Sequence, residues 1–367
     1  MSDHPASNRW ARFTSWVSVP TGLVAIVVVV ALLASLGPAS TDRIVIVGLI
    51  NLVLVVALYI FSGNSGITSF GHLCFAAVGG YAAGLLVMPR SLKEQLVPDA
   101  PGVIHAVSLD AIPAVIVAGL IAAAVALVVV VPLSRISGLA AGIATVSLLI
   151  SARVVMSNWE AVTRGKKSLS SIPIHTTLAS ALGWAAVVIV CAWAYQSSSF
   201  GKRLRASKSD EVAAASIGVN TPLQRGAAFV LSAFFTGIGG AMFALFLGSI
   251  GPDVFYLDTT FLVITMLVVG GVDSLTGAVV GSLVVSVLAE MLRRIEGGDL
   301  LGLADIPARP GLQRMILGAI LVVILLRRPT GIVGPVEIDR LWKRRRSTPP
   351  ASSPSSSETP VSTSGDS

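Results

Sequence analysis

The sequence predicts an all-helical protein that crosses a membrane many times, about ten and within a range of eight to ten. Three observations carry that prediction. Hydrophobic residues make up 54% of the 367-residue chain and charged residues only 12%, against about a quarter charged in soluble domains. Windows approaching the roughly 20 apolar residues that cross a bilayer recur along the chain. The basic residues behind the net charge of +7 gather in short segments at the ends of those windows. The positive-inside rule expects such clusters in cytoplasmic loops, which sets aside a nucleic-acid partner.

The elements follow in order. Residues 1–19 carry Arg9 and Arg12 and read as a cytoplasmic N-terminal segment. No small-residue cleavage site clearly follows the next apolar run, so that first span, near 20–36, is expected to be retained. The second runs near 44–62 on Val, Leu and Ile. The third, near 69–88, opens from the polar stretch "SGNSGITSFGH" and is rich in Gly and Ala. A loop with Pro89, Pro98 and Pro101 leads to the fourth, near 111–131, then the fifth, near 139–157, and the sixth, near 178–196. The first half is thus 20–196. A long segment of mixed charge, 197–225, separates it from a second half, 226–330, with spans near 226–249, 258–272, 275–292 and 312–326. Residues 331–367 are a basic run, Lys343 to Arg346, and then a Ser- and Pro-rich tail too polar to fold.

Ten spans put both termini and the basic run Lys202, Arg203, Arg205 and Lys208 on the cytoplasmic side. The loop 250–258, with Asp253 and Asp258 and no Lys or Arg, falls outside. Arg164, Lys166 and Lys167 also fall outside, so either that loop is an exception or a nearby span is miscounted. Gly66 to Gly71 in the first half is echoed by Gly271 to Gly277 in the second, each a small-residue break that opens an apolar run, as in transporters built from repeats.

Two segments carry the functional reading. Unpaired backbone polar groups in lipid cost several kcal/mol each, so "SGNSGITSFGH" suits a membrane surface, a helix contact or a water-filled path. Gly79, Gly80 and Gly84, with their alanine neighbours, permit close helix approach. His72 reads either as a ring hydrogen-bonded to a neighbouring backbone carbonyl or as part of a proton relay. In "FGKRLRASKSDEVAAASIGVN", Asp210 and Glu211 suit the start of a short helix and Gly218 its end, which makes either a docking element or an interfacial helix.

Catalytic signatures are missing from the sequence. It has no GxxxxGK[ST], HExxH or GxSxG, and its two cysteines show no metal or disulfide spacing. Ser69 and His72 share a helical face, the least implausible enzymatic pair, but no other histidine falls in a span. The span interiors also lack the carboxylates of an ion-coupled pump. A transport subunit driven by another chain fits this combination, with a self-sufficient carrier or channel as the alternative class.

Several stretches resemble the permease subunits of branched-chain amino acid ABC importers, particularly the LivM type: 51–86, with "SFGH" and "GGYAAG"; 137–150, with "GIATVS"; 198–220; and 229–255 followed by 268–285. Order and spacing agree across roughly 45–335. The resemblance implies the ABC importer permease architecture, two pseudo-related halves of packed helices in a bacterial cytoplasmic membrane. It implies a second permease, which would be a homologous partner, two cytoplasmic ATP-binding subunits and an extracytoplasmic substrate-binding protein. ATP would bind those subunits, leaving this chain without a cofactor. It assigns Gly201, Arg203, Arg205, Asp210, Glu211, Ala214 and Gly218 to an ATPase-coupling loop. It sets Asn51, Ser65, Ser69, Gly71, His72 and Thr145 in or beside the translocation path. Departures at Ile67-Thr68 and at Ala140-Ala141-Gly142 leave the substrate open among small amino acids, urea, amides and other small polar solutes, and Asp273 falls where the family commonly has glycine.

Overall fold

A computed structural model of the chain describes residues 5–35, 39–136, 138–297, 311–328 and 330–334. In chain order the helices are α1 (Pro5–Ser35), α2 (Ala39–Ser65), α3 (Leu73–Val87), α4 (Arg90–Leu96), α5 (Gly102–Ala106), α6 (Ala111–Leu133), α7 (Gly138–Asn158) and α8 (Glu160–Thr163). They continue as α9 (Leu178–Ser197), α10 (Ser199–Ser209), α11 (Glu211–Ser216), α12 (Thr221–Leu247), α13 (Leu257–Gly270), α14 (Leu275–Glu296) and α15 (Leu312–Arg327). Among the described residues no strand forms, only an isolated bridge between Leu169 and Ile250.

Among the described residues, six helices (α2, α6, α7, α9, α12 and α14) are long and apolar enough to cross a membrane. Four more apolar stretches, Val19–Leu33, Leu73–Val87, Leu257–Gly270 and Leu312–Ile324, are shorter. Each expected span therefore coincides with an apolar helix, but these four reach only about 20–23 Å at 1.5 Å per residue, short of the hydrocarbon thickness. Two boundaries differ from expectation. The N-terminal segment is helical from Pro5 and continuous with the first span. α12 starts at Thr221, where Asn220 caps it by accepting from the Leu223 amide, inside the segment expected to be a loop. The basic run and tail beyond residue 334 lie outside the described residues.

Burial divides the bundle. α2 is apolar on all sides, and 78% of its spanning window is buried, against 22% for α7. A helix with no polar stripe belongs at the centre, where every face has a protein partner. α2 packs against α9, α12, α13 and α14, while α12 also lies against α3 and α6. The first helix of the second half is thus inserted among helices of the first.

Small residues make this insertion possible. A Cβ on Gly240 of α12 would collide with the Ala76 carbonyl of α3, and one on Gly79 of α3 would collide with the Gly237 carbonyl. Backbones this close pack through dispersion rather than through side-chain bulk. The expectation of close approach along Gly79 and Gly80 holds.

The connections sort to two ends. At one end Leu169 bridges Ile250, the Ile172 amide donates to Gly248 O (3.0 Å), and Arg153 pairs with Asp253. Arg164, Lys166 and Lys167 sit on that loop, between α7 and α9. The loop 89–110 is ordered by the buried Lys93, which donates to Ile104 O (3.1 Å) and to Val107 O. Burial holds its ammonium pKa below the usual lysine range. The other end carries the break after α2, the helices α10 and α11, the break between α13 and α14, and residues 330–334, which donate back to Val269 and Gly270 carbonyls.

Candidate functional site

α2 ends at Ser65 because Gly66 turns left-handed (φ 75°). The polar groups of the break then find partners within it. The Gly66 amide donates to Ser62 O (3.0 Å), the Ile67 amide to Ser65 Oγ (3.2 Å) and the Asn64 side-chain amide to Ile60 O (2.9 Å). Thr68 and Gly66 are exposed, while Asn64, Ser65, Ser69 and His72 are buried.

The structure brings most of the expected path residues together. Ser69 Oγ lies 2.6 Å from His72 Nδ1, one turn apart at the entry to α3. The Phe70 amide donates to Thr145 Oγ1 of α7 (3.2 Å), and Gly71 packs so tightly on the Thr145 carbonyl that a Cβ would collide. The His72 ring stacks on Phe61 (centroids 5.2 Å) and meets the edges or faces of Phe75 and Phe229 at 5.9 and 4.9 Å.

His72 thus bonds a neighbouring hydroxyl rather than the expected backbone carbonyl. Its Nε2 has no partner among the described residues. A base without an orienting group, shut in an aromatic box, is poorly built for nucleophilic catalysis. A pocket of ≈ 10 Å³ bordered by Phe61, Thr145, Arg225 and Phe229 leaves room for about one water beside this box.

Asn51 is placed elsewhere. It lies 14 residues before Ser65 on α2, about 21 Å along the axis. There it lines a much larger cavity, ≈ 490 Å³, between α2, α12, α13 and α14, whose mouth is at the opposite end of α2.

The segment expected to be a coupling loop carries two helices of its own, one more than expected. α10 is capped by Ser198, which accepts from the Gly201 amide (3.2 Å). Gly201 itself is buried against the Tyr195 carbonyl, where a Cβ would collide. α11 begins as expected: Asp210 accepts from the Val212 and Ala213 amides (both 2.9 Å), and Gly218 follows it in the left-handed conformation (φ 83°). Ala214 is buried, Arg203 is exposed, and Val212 and Ile217 are 80% and 77% exposed, an apolar surface open to a partner.

Three charged latches tie this segment to the bundle. Arg205 Nε donates to Asn64 Oδ1 (2.7 Å), and its terminal nitrogen donates to Tyr59 OH (2.9 Å), which donates to Gln196 Oε1 (2.7 Å). Lys208 donates to Gly63 O (3.1 Å) and pairs with Asp273. Glu211 pairs with the buried Arg225 of α12 (3.0 Å). Lys208 therefore joins the two glycine breaks that echo each other in sequence.

Asn64, Tyr59, Gln196, Lys208, Asp273 and Arg225 went unassigned by residue pattern. One signal was present: Arg205 and Lys208 are three apart on a helix, and Asp273 falls on the same side in the ten-span topology. Nothing in the sequence marks Tyr59, which sits mid-run among aliphatic residues.

Residues 40–325 match the family model described as the branched-chain amino acid transport system / permease component. The chain is 23% identical over 345 residues to the high-affinity branched-chain amino acid transport system permease protein LivM of Escherichia coli K12, which covers 85% of this chain and 74% of that protein. LivM of Salmonella typhimurium LT2 is 22% identical, covering 78% of this chain and 68% of its own length. The permease protein LivH of the same Salmonella strain is 28% identical over 144 residues, 39% of this chain and 42% of LivH. No solved structure matches.

Proposed function

This chain belongs to the branched-chain amino acid transport permease family, as a transmembrane permease subunit of an ABC importer, and we propose that its cargo is a branched-chain or related small amino acid. All ten apolar helices cross the bilayer, the shorter four with their ends at the interfaces, and both termini are cytoplasmic. The membrane is the bacterial cytoplasmic membrane. Two ATP-binding subunits dock on 197–225, a second, homologous permease completes the pore, and an extracytoplasmic binding protein delivers the solute. The chain itself hydrolyses nothing.

The observation that carries this reading is the attachment of α10 to the end of α2. Arg205 links a surface helix directly to Asn64, two residues before the Gly66 break, and Lys208 and Glu211 add links to the α13–α14 connection and to α12. A movement imposed on α10 and α11 from outside the bundle is thereby passed to its central helix. Charge-assisted hydrogen bonds between partly buried groups are stiff enough for that task.

The test is purification from native membranes in mild detergent, followed by uptake in proteoliposomes. The expected result is co-elution of ATP-binding subunits and a second permease, with leucine uptake that requires ATP. Leucine uptake by the chain alone under a solute gradient would overturn the reading in favour of a self-sufficient carrier.

A further inference from the structure

The seam between α6 and α12 changes character along its length. At mid-bundle it is tight: a Cβ on Gly237 would collide with the Ala122 Cβ, and the edge of the Phe234 ring would lie 3.0 Å from a Cβ on Gly119. Toward the end that carries α10 and α11 the seam opens into a furrow of ≈ 750 Å³, within the range of about 300–1,000 Å³ usual for small-molecule sites. Gly226 lines it. A glycine inside a helix is a cost that close backbone approach normally offsets, as at Gly240 against the Ala76 carbonyl. Gly226 makes no such approach, since a Cβ there would meet only a Val130 methyl at 3.5 Å. Its missing side chain leaves room instead of joining two helices.

The furrow has the depth of one leaflet. It runs from Ala123 to Ser134 on α6 and from Pro222 to Phe234 on α12, about 17 and 18 Å at 1.5 Å per residue, against about 15 Å for half of a hydrocarbon core. Phe234 closes it near the midpoint of α12, whereas a partner helix crossing the whole bilayer would need a track about twice as long. The walls, Leu127, Val131, Leu223 and Val230, are apolar.

Polar groups gather at the outer end, where Arg135 and Asn220 line the furrow and no carboxylate does. Arg135 is exposed and has no hydrogen-bond or ion-pair partner among the described residues. Asn220 uses Oδ1 to cap α12, which leaves its Nδ2 as a donor. A cation and an amide at the mouth of an apolar trough suit an anionic headgroup whose chain runs inward.

We infer that this furrow holds one acyl chain of an anionic phospholipid from the leaflet on the side of α10 and α11. The phosphate sits on Arg135 and Asn220, and the chain lies over Gly226 and Ala227. Such a lipid braces the first turns of α12 beside Arg225, the residue that latches α11 to the bundle. The inference goes beyond the transport reading and needs only that α6 and α12 cross the membrane.

The test uses the assembled complex in phosphatidylcholine vesicles doped with phosphatidylglycerol that carries a diazirine on one acyl chain, or with the matching phosphatidylcholine probe. After irradiation the labelled residues are read by mass spectrometry. Val128 is the reference, 76% exposed on α6 at the same depth but outside the furrow. The phosphatidylglycerol probe is expected to label Leu127, Val131 and Ala227 about fivefold more than the phosphatidylcholine probe, the weight of one arginine beside an anionic lipid. Val128 takes up both equally. Arg135→Gln, a change at an exposed side chain that leaves the fold intact, removes the preference. Gly226→Leu fills the trough and removes labelling of Val131 and Ala227 by either probe.

Equal labelling of the furrow by the two probes overturns the inference, as does a preference that survives Arg135→Gln. So does a furrow that stays unlabelled because the second permease covers it, or one that labels undiminished in Gly226→Leu. Leucine uptake read in the same vesicles tests the transport function separately.

Discussion

The two ends of α2 are built differently. At the Asn64 end, Arg205, Lys208, Tyr59, Gln196 and Asp273 close the bundle with hydrogen bonds and charge pairs, and the space beside His72 admits about one water. At the Arg43 end the helices part around a cavity with a positive rim and a polar floor. A helix apolar on all sides is thus clamped where α10 meets it and borders open space at its other end. The difference teaches that the polar side chains of α2 gather at its ends, where they hold neighbouring elements or line a cavity, while its long apolar middle packs the centre of the bundle.

Breaking the clamp has the largest expected effect. Arg205→Met leaves Asn64 Oδ1 and Tyr59 without their cationic donor in a largely buried site, a loss of about 1.5–3 kcal/mol for a charged hydrogen bond. ATP-driven uptake should fall by about 5–150-fold, the range of a typical coupling energy, while the variant still assembles with its ATPases. Normal uptake by an assembled Arg205→Met complex would show that α10 does not drive α2.

Glu211→Gln comes next. Its partner Arg225 is buried, so removing the charge weakens the latch by about 1–2 kcal/mol after allowing for the half-exposed carboxylate. Charge reversal to Arg acts on this internal latch as well as on any docked ATPase. The two effects separate when ATPase binding is measured for Glu211→Gln, which should bind normally yet transport less.

The pair of Lys208 and Asp273 is more exposed, and a double-mutant cycle to alanine should give a coupling energy below about 1 kcal/mol. Thermal stability in detergent reads that energy. A larger value would make the link between the two glycine breaks a principal hinge.

The smallest effect is expected at His72. Gln in its place keeps a hydrogen bond to Ser69, so His72→Gln should transport at close to the wild-type rate over the whole accessible pH range. A variant that loses uptake with a changed pH profile would restore the proton-relay reading.

Much of the fold was legible because hydropathy is a local property. All the expected spans reappear as apolar helices, and α11 begins after Asp210 and stops before Gly218 because caps and turn glycines act within a few residues. The candidate site was legible only in part. Ser65, Ser69, Gly71, His72 and Thr145 do cluster, yet Asn51 lies in a separate cavity, because one helix carries both and a helix as long as the bilayer can reach two sites. The buried Lys93 in a loop expected to be merely polar, and the helical form of 199–209, were not foreseen.

The sequence by itself determined which segments form apolar helices and which residues begin and end α11. These are decided by the cost of unpaired backbone in hydrocarbon, a cost each segment meets alone. Tertiary structure alone decided that α2 is central, that α12 packs against both α3 and α6, and that Arg205 reaches Asn64 across 141 positions of sequence. Those choices depend on which small-residue faces and which opposite charges meet when the helices assemble. Complementarity of that kind belongs to pairs of surfaces and cannot be read from either surface alone.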